Sequence, residues 1–517
     1  MNLAPGLRAQ AHGPWLGTRG RSLVGVGTGV AILLVLNGLV RQAGGPATEG
    51  QFVGAPPLPV VQMTRPSAWR CPGPLPLGAG KERSRIAIAN SSLFAAGVTV
   101  TVSRTNLPVA GLSTKTSVSR TRVALDGRSQ AVITLPGSGP AGYAAVSVDT
   151  DDGGIGVSES IRGLSGPAGA VIAASPCTLG SAPRGFIPAG STYGSSDVRV
   201  GLYDPDATPA VVDVAVSNGV SVSSPPAFQG VVVPATGLVV LDLRRWVFQV
   251  SSLAIAATAV SGDIVIGSLE TTEETVSSPS GTPSSHSLTR VHFAGASLLV
   301  GPDRALRQWS FTALQSRIGV ASMFSVYDPG TKPVSVSVAP PGHGGRVAAL
   351  SEDVPAGGIV DFQTPIAPGT RLGAKSVVIT AATGSLVLVA RVTARQRSRS
   401  LEELNTTLGT AGAGERWLLP GATVTAGIDD IVTLADPGTK SATVSLVELP
   451  DLPAARVHLK DFTVLAGSQR NVDLGSLMKD APEFALEVTA DAPVLVEQQL
   501  RPRHGETAAL GAILVSP

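Results

Sequence analysis

The chain has 517 residues, a formal net charge of +2 and only 4% aromatic residues. This length exceeds what one compact hydrophobic core supports and therefore predicts several domains. The near-neutral charge, without aromatic residues interleaved with basic runs, argues against nucleic-acid binding.

An uncharged apolar segment at residues 22–40 is the first predicted element. At about 1.5 Å per residue, a helix over this segment would span about 28 Å, close to the hydrocarbon core of a bilayer. Three arginines precede the segment and one follows it. The positive-inside rule then predicts a single-pass signal-anchor, with residues 1–21 as a short cytoplasmic tail and the rest outside the cell membrane. A cleaved signal peptide, which would leave a secreted protein, is the alternative.

Beyond the predicted anchor, residues 41–66 are rich in proline and glycine, which is typical of a stalk. The chain as a whole contains 43% hydrophobic residues, mostly Ala, Val, Leu and Ile. Sixty glycines and forty prolines disfavour long helices, and the Val- and Thr-rich segments between them predict many short strands.

Four segments then repeat one order of features, at intervals of roughly 110 residues. In each segment an apolar strand ends in a side-chain-stabilised turn, and an alternating strand follows. The predicted turn residues are Asn90, Asp204, Asp328 and Asp436. These features place the repeats at 67–177, 178–302, 303–394 and 416–517, with a polar linker at 395–415.

Each repeat offers roughly six or seven strands, which favours tandem immunoglobulin-like β-sandwiches over propeller blades of four strands. A closed, propeller-like four-fold arrangement is the alternative. Three repeats open on a strand with a proline, in the strings RCPG from Arg70, FIPAG from Phe186 and LLPGA from Leu418. The third repeat has SFTA from Ser310 at this place and lacks the proline.

The order of the RWxxP, DPG and VPAG motifs resembles a repeat of exported actinobacterial proteins, a family catalogued only as a domain of unknown function. The resemblance covers about residues 67–517 and is carried by Arg416 and Trp417, Asp436 to Gly438, Ala442 to Val444 and Val354 to Gly357. Repeats one and two depart from it, with Asn90-Ser91 in place of Asp-Pro and Arg184-Gly185 in place of Arg-Trp. It implies extracytoplasmic β-rich modules behind an N-terminal anchor, and it carries over no catalytic residue.

Two cysteines, Cys71 and Cys177, lie at the two edges of the first repeat in the contexts Cys-Pro and Pro-Cys. Outside the cell membrane such a pair is permitted to form a disulfide, which we expect here. Two free buried thiols are the alternative.

Other candidate chemistry is sparse. Asp149, Asp151 and Asp152 resemble the start of a calcium loop but lack its later glutamate, so a hairpin tip is expected. The six histidines have no paired spacing, and no nucleophile-elbow motif is present. We therefore expect no catalytic residue, metal or cofactor site.

The leading hypothesis is a non-enzymatic, membrane-anchored envelope protein whose repeats bind or support another envelope protein or a cell-wall polymer. The alternative is a polysaccharide-acting hydrolase with its site between repeats. That activity needs two carboxylates held at a set distance, for which Asp429 with Asp430 and Glu402 with Glu403 are the candidates. Neighbouring residues of a strand point to opposite faces, which speaks against these pairs.

Overall fold

The structure is a computed structural model of the whole chain. It describes residues 60–63, 65–77, 83–106, 116–136, 142–166, 169–219, 221–276, 290–312, 320–339, 350–363, 376–397, 400–425, 427–450, 457–479, 481–502, 505–506 and 508–516. The predicted cytoplasmic tail, the predicted transmembrane segment and most of the predicted stalk lie outside these residues. Pro56–Pro517 forms one compact unit.

The first half of this unit contains two repeats. A short strand precedes them, β1 (Val60–Gln62). The strands of the first repeat are β2 (Ser67–Pro76), β3 (Arg83–Asn90), β4 (Ala96–Asn106), β5 (Thr116–Leu125), β6 (Ser129–Thr134), β7 (Gly142–Thr150), β8 (Ile155–Gly166) and β9 (Gly169–Pro176). After β10 (Thr178–Leu179), the second repeat contains β11 (Arg184–Ile187), β12 (Ser196–Asp204), β13 (Ala210–Ser217), β14 (Val222–Ser223), β15 (Val231–Val233), β16 (Gly237–Asp242), β17 (Ala254–Ser261), β18 (Val265–Val276) and β19 (Arg290–Val300).

The second half contains the other two repeats. The third consists of β20 (Gln308–Phe311), β21 (Val320–Tyr327), β22 (Val334–Ala339), β23 (Leu350–Val354), β24 (Ile359–Gln363), β25 (Val377–Ala381), β26 (Leu388–Arg397) and β27 (Ser400–Leu408). The fourth consists of β28 (Gly414–Val424), β29 (Ile428–Ala435), β30 (Ala442–Pro450), β31 (Val457–Val464), β32 (Gln469–Asp473), β33 (Ala481–Pro502), β34 (Gly505–Glu506), β35 (Ala508–Gly511) and β36 (Ile513–Ser516). Among the described residues, the helices are single 3₁₀ turns at Pro226–Phe228, Leu243–Arg245 and Leu474–Ser476.

One sheet topology recurs in all four repeats. The first, sixth, third and fourth strands form one sheet in this order, and the fifth, second, seventh and eighth strands form the other. In the second repeat, β14 and β15 together take the place of the fourth strand. In the fourth repeat the long β33 supplies both the sixth strand, at 481–494, and the seventh, at 495–502. The predicted sandwich is confirmed, with eight strands per repeat where the sequence indicated six or seven.

The sandwich cores follow from the alternating pattern of the strands. Val98, Val100 and Val102 of β4 are buried, as are Val212, Val214 and Val216 of β13. Because successive side chains of a strand point to opposite faces, this alternation places the valines between the two sheets. Each repeat therefore has a core of buried hydrophobic side chains between its two sheets.

The repeats also contact one another in cyclic order, in one recurring mode. The opening strands of the first three repeats (β2, β11 and β20) each lie against the following repeat, on the sheet that contains its second and seventh strands. The opening strand of the fourth repeat, β28, lies in the same way against the first repeat. The closing strands β9, β19, β27 and β35 lie beside one another at the centre. The repeats thus close into a ring of sandwiches. The propeller-like alternative was wrong in its building unit, since each repeat has two sheets where a propeller blade has one.

The two ends of the described chain also meet in this ring. β36 pairs antiparallel with β28, the opening strand of the last repeat, and parallel with β1. Residues 60–62 are therefore part of the ring, and the predicted stalk at 41–66 was wrong for its last residues. The physical reason is that Val60 and Val61 can extend a sheet edge that β36 would otherwise leave open.

The predicted linker at 395–415 was also wrong. β26 runs to Arg397 and β27 is the closing strand of the third repeat. This strand lacks an apolar alternation because its neighbours are polar. Thr406 N–H donates to Ser297 Oγ of β19 at 2.8 Å, and both residues are buried. Hydrogen bonds across the interface between repeats therefore satisfy polar groups of β27, a segment that the sequence pattern predicts to be a loop.

Candidate functional site

The four predicted turn residues make the same hydrogen bond. In each case the side-chain Oδ1 accepts from the backbone N–H two residues later, and the side chain is buried. The bonds run from Ser92 to Asn90 at 3.0 Å, Asp206 to Asp204 at 2.8 Å, Gly330 to Asp328 at 2.7 Å and Gly438 to Asp436 at 2.7 Å. This bond fixes the turn between the second and third strands, which is a structural role.

Burial disfavours the charged form of two of these turn residues. It raises the pKa of Asp204 and of Asp328 to about 6. In the first repeat, the neutral Asn90 takes the same position, and its Nδ2 donates to the carbonyls of Phe94 and Asp126. An amide therefore fills this position without the cost of burying a charge.

The predicted disulfide between Cys71 and Cys177 is confirmed. Both residues are fully buried and their Cα atoms are 4.7 Å apart. The bond ties β2, the opening strand of the first repeat, to the chain just after β9, its closing strand. It closes a loop over a sequence separation of 106 residues and encloses the whole first repeat.

Glu159 lies against this disulfide and was missed by sequence analysis. One of its carboxylate oxygens lies within 4.8 Å of both sulfur atoms. Gly73 N–H donates to Oε2 at 3.2 Å, and Oε1 has no hydrogen-bond partner within the part of the chain that the structure describes. Burial raises the pKa of this carboxyl to about 8, so it is mostly protonated at neutral pH. The sulfurs are bonded to each other, so this cluster offers no thiolate for a metal.

The contact between the first two repeats depends on glycine. A Cβ at Gly267 of β18 would lie 2.2 Å from the carbonyl oxygen of Gly73, and one at Gly201 of β12 would lie 2.8 Å from that of Pro72. The Pro-Gly segment of the opening strand thus sits directly on the neighbouring sheet. The recurring proline of the opening strands, which sequence analysis recorded without an explanation, marks the contact between repeats.

At the equivalent contact of the third and fourth repeats, an ion pair replaces this close approach. The third repeat has Thr312 where the other repeats have proline, and the fourth has Glu497 where the others have Ser158, Gly267 and Ala390. Arg391 and Thr312 both contact the Glu497 carboxylate, with Nη1–Oε2 and Oγ1–Oε2 distances of 3.0 and 3.1 Å. The missing proline was the sequence signal that could have revealed this site.

The contact that closes the ring, between the fourth and first repeats, is also polar. Arg85 pairs with Glu483, and Arg128 and Arg416 both pair with the buried Glu487. The pairing partners of these charges are too far apart in sequence to be recognised from local patterns.

Of the two carboxylate pairs considered for a hydrolase, the structure describes the side chains of one, Asp429 with Asp430. Asp430 is fully buried on β29, where it accepts hydrogen bonds from Thr423 N–H at 2.9 Å and Gln498 Nε2 at 2.7 Å. Burial raises its pKa to about 7. Its neighbour Asp429 points to the opposite face of the strand. Glu402 and Glu403 lie in β27, and the structure does not describe their side chains.

The acidic segment at Asp149–Asp152 forms the connection between β7 and β8, as expected of a hairpin tip. Asp149 pairs with Arg70 at 2.6 Å, and Asp152 Oδ2 accepts from Gly97 N–H at 3.0 Å. These two carboxylates are committed to contacts within the repeat.

A cavity of about 50 Å³ lies where the four closing strands meet. Its walls come from all four repeats, at residues 174–178, 298–302, 406–410 and 511–512. The volume suffices for water, whereas pockets for organic ligands usually measure about 300–1,000 Å³.

Comparison with known proteins adds no identification. No family model matches the chain, and no curated protein matches it significantly. The resemblance to the actinobacterial repeat therefore stays a prediction. Among the described residues, no helix has the length and apolar character needed to cross a membrane. The predicted anchor at residues 22–40 lies outside them.

Proposed function

We propose that this protein is a non-enzymatic envelope scaffold, held by its N-terminal anchor with the ring on the outer side of the cell membrane. The observation that carries the proposal is the closure of four sandwiches into one ring. Within the described residues, the buried carboxylates at the contacts between repeats are bonded to other parts of the ring. Such an arrangement supports rigidity and presents outer loops for binding another envelope protein or a cell-wall polymer.

Two further observations support the location. The buried Cys71–Cys177 disulfide suits an oxidising compartment, and disulfides are rare in the cytosol. The strand β1 enters the ring at Val60, so about 19 residues separate it from the end of the predicted anchor. A tether of this length spans at most about 65 Å when fully extended.

The proposal is tested by introducing a reporter cysteine into the full-length protein and measuring its labelling in the protein's own host. The two natural cysteines are fully buried in a disulfide, so the unmodified protein gives no background with a membrane-impermeant, mass-shifting thiol reagent. Asp151, which is exposed at the β7–β8 tip, becomes the reporter as Asp151→Cys. His12→Cys in the predicted cytoplasmic tail is the matched control.

We expect Asp151→Cys to label in intact cells, on full-length protein in the membrane fraction, and His12→Cys to label only after lysis. Labelling of Asp151→Cys only after lysis would place the ring inside and overturn the proposal. A shortened, soluble, labelled species would show that the predicted anchor is instead a cleaved signal peptide.

A further inference from the structure

Two cysteines and a glutamate meet in the core of the first repeat, and the other repeats have different residues at these places. The strand positions equivalent to Cys71 hold Ile187, Phe311 and Leu419. The positions equivalent to Glu159 hold Ser268, Arg391 and Gln498. Glu159 therefore accompanies the two cysteines in the repeat that contains them.

Glu159 also differs from two of its equivalents in what it bonds to. Arg391 pairs with the Glu497 carboxylate, and Gln498 donates to a buried aspartate. Glu159 accepts from the backbone N–H of Gly73, and its Oε1 has no hydrogen-bond partner among the residues that the structure describes. Because an unpaired buried oxygen is destabilising, a carboxylate at this place calls for a reason other than packing.

The geometry of the three groups suits a metal ion that prefers sulfur. One carboxylate oxygen of Glu159 and the sulfurs of Cys71 and Cys177 lie within 4.8 Å of one another, and all three residues are fully buried. Tetrahedral Zn²⁺ binds thiolate sulfur at about 2.3 Å and carboxylate oxygen at about 2.0–2.2 Å, which places its ligand atoms about 3.5–3.8 Å apart. Once the S–S bond is absent, the cluster offers suitable ligand atoms at nearly this separation.

The cavity at the centre of the ring provides room for a fourth ligand. Three protein ligands leave one tetrahedral position, which water fills in many zinc sites. Cys177 lines the cavity, and so does Ser175, which lies directly opposite Glu159 in the pairing of β9 with β8. The cavity volume of about 50 Å³ suffices for water.

The oxidation state of the cysteines decides whether the cluster can bind a metal. In the disulfide form no thiolate is present, whereas every newly made chain carries two thiols before its disulfide forms. Binding of a divalent cation to the reduced cluster displaces one proton from each thiol and one from the carboxyl group. Since the cluster is enclosed, the cation would enter as the first repeat folds.

We propose that the first repeat, before its disulfide forms, binds one divalent cation of the Zn²⁺ type through Cys71, Cys177 and Glu159. Thiolate ligands favour Zn²⁺ over Mg²⁺ and Ca²⁺. The cation would join β2 to the chain after β9, as the disulfide later does, and would also hold β8. Disulfide formation would release it: the two thiolates pass two electrons to an incoming disulfide, which leaves as two thiolates.

The experiment uses the full-length protein in detergent, reduced in urea and refolded without oxygen in the presence of Co²⁺. Cobalt reports thiolate ligands by a charge-transfer band and tetrahedral geometry by its visible bands, and Zn²⁺ is then added as competitor. Glu159→Gln is the informative variant, because its amide can still accept from Gly73 N–H but is a poor ligand. Glu270→Gln is the matched control, since Glu270 is a buried carboxyl of the second repeat.

We expect the reduced protein to bind one Co²⁺ per chain and to exchange it for Zn²⁺. Glu159→Gln should weaken binding by about tenfold or more, since loss of a ligand should cost at least as much as loss of a group that orients one. Glu270→Gln should bind as the unmodified protein does. The double variant Cys71→Ser with Cys177→Ser, and the oxidised protein, should show no charge-transfer band.

Absence of the band from the reduced protein, or equal affinity in Glu159→Gln, would overturn the inference. The same spectrum in urea would indicate chelation by an unfolded chain and would overturn it too, as would a reduced chain that fails to refold even with the cation present. Urea midpoints of the refolded variants show that they are folded. These failures leave the anchored scaffold standing, because the labelling of Asp151→Cys decides that proposal independently.

Discussion

Arg391 of the third repeat and Glu497 of the fourth form a buried ion pair across their interface. Two contacts join the guanidinium to the carboxylate, Nη1–Oε2 at 3.0 Å and Nη2–Oε1 at 2.5 Å. Arg391 Nη1 also donates to the carbonyl of Thr312. The pair occupies a place where the other interfaces have a proline against a small residue, so it is a local substitute for close packing.

Breaking this pair should be costly. Glu497→Gln leaves the Arg391 charge buried without its counterion, and we expect the free energy of unfolding to fall by about 3–5 kcal/mol. The double variant Arg391→Met with Glu497→Leu should lose much less, because neither charge remains buried. Urea denaturation of the unmodified protein and of both variants measures this, and a loss in the double variant as large as that in Glu497→Gln would contradict it.

The close contact of Gly267 with Gly73 gives a second prediction. Gly267→Ala places a Cβ where the Gly73 carbonyl lies, so the first two repeats must separate, at a cost of about 1–3 kcal/mol. Gly97→Ala is the control, since Gly97 also lies in a strand and a Cβ there meets no atom within 4 Å. Thermal unfolding checks both, and equal midpoints for the two variants would refute the interface argument.

The turn residue Asp328 can be compared with Asn90, which takes the equivalent position in the first repeat. Asp328→Ala removes the acceptor for Gly330 N–H and should cost about 1 kcal/mol. Asp328→Asn keeps the acceptor, as Asn90 does in the first repeat, and also removes a buried charge. We therefore expect it to match or exceed the unmodified stability at pH 7, as measured by urea denaturation.

The stability of the ring should depend on pH through Glu159. Its folded-state pKa is about 8, against an ordinary value of 4.5, so the folded protein binds the proton more tightly than the unfolded chain. A carboxyl with a raised pKa contributes its full stability below about pH 4.5, and this contribution is lost as the pH rises to about 8. Buried Glu270, with a pKa raised to about 8, acts in the same direction.

The variant Glu159→Gln isolates this contribution. Its amide oxygen can still accept from Gly73 N–H, but it cannot ionise. We expect the free energy of unfolding at pH 8 to rise by about 2–5 kcal/mol relative to the unmodified protein, with little change at pH 4.5. Unfolding curves between these pH values check the slope, and parallel curves for the two proteins would contradict the assignment.

The sequence by itself determined the elements that depend on neighbouring residues. Alternating valines specified the strands, and Asn90, Asp204, Asp328 and Asp436 specified the turns, because a side chain that bonds two residues ahead needs no distant partner. The order of these features repeated four times, and this was enough to indicate sandwiches. The two cysteines were enough to indicate a disulfide, since no other pairing was available.

The tertiary structure decided what depends on contacts between repeats. Residues 395–415 read as a linker because their polar side chains show no buried face, yet Thr406 of β27 is buried against Ser297 of another repeat. Likewise Arg391 and Glu497 are separated by 106 residues, and their pairing exists only once the ring closes. Local periodicity records whether a side chain is buried within its own sheet pair, and it carries no information about which surfaces of the finished sandwiches meet.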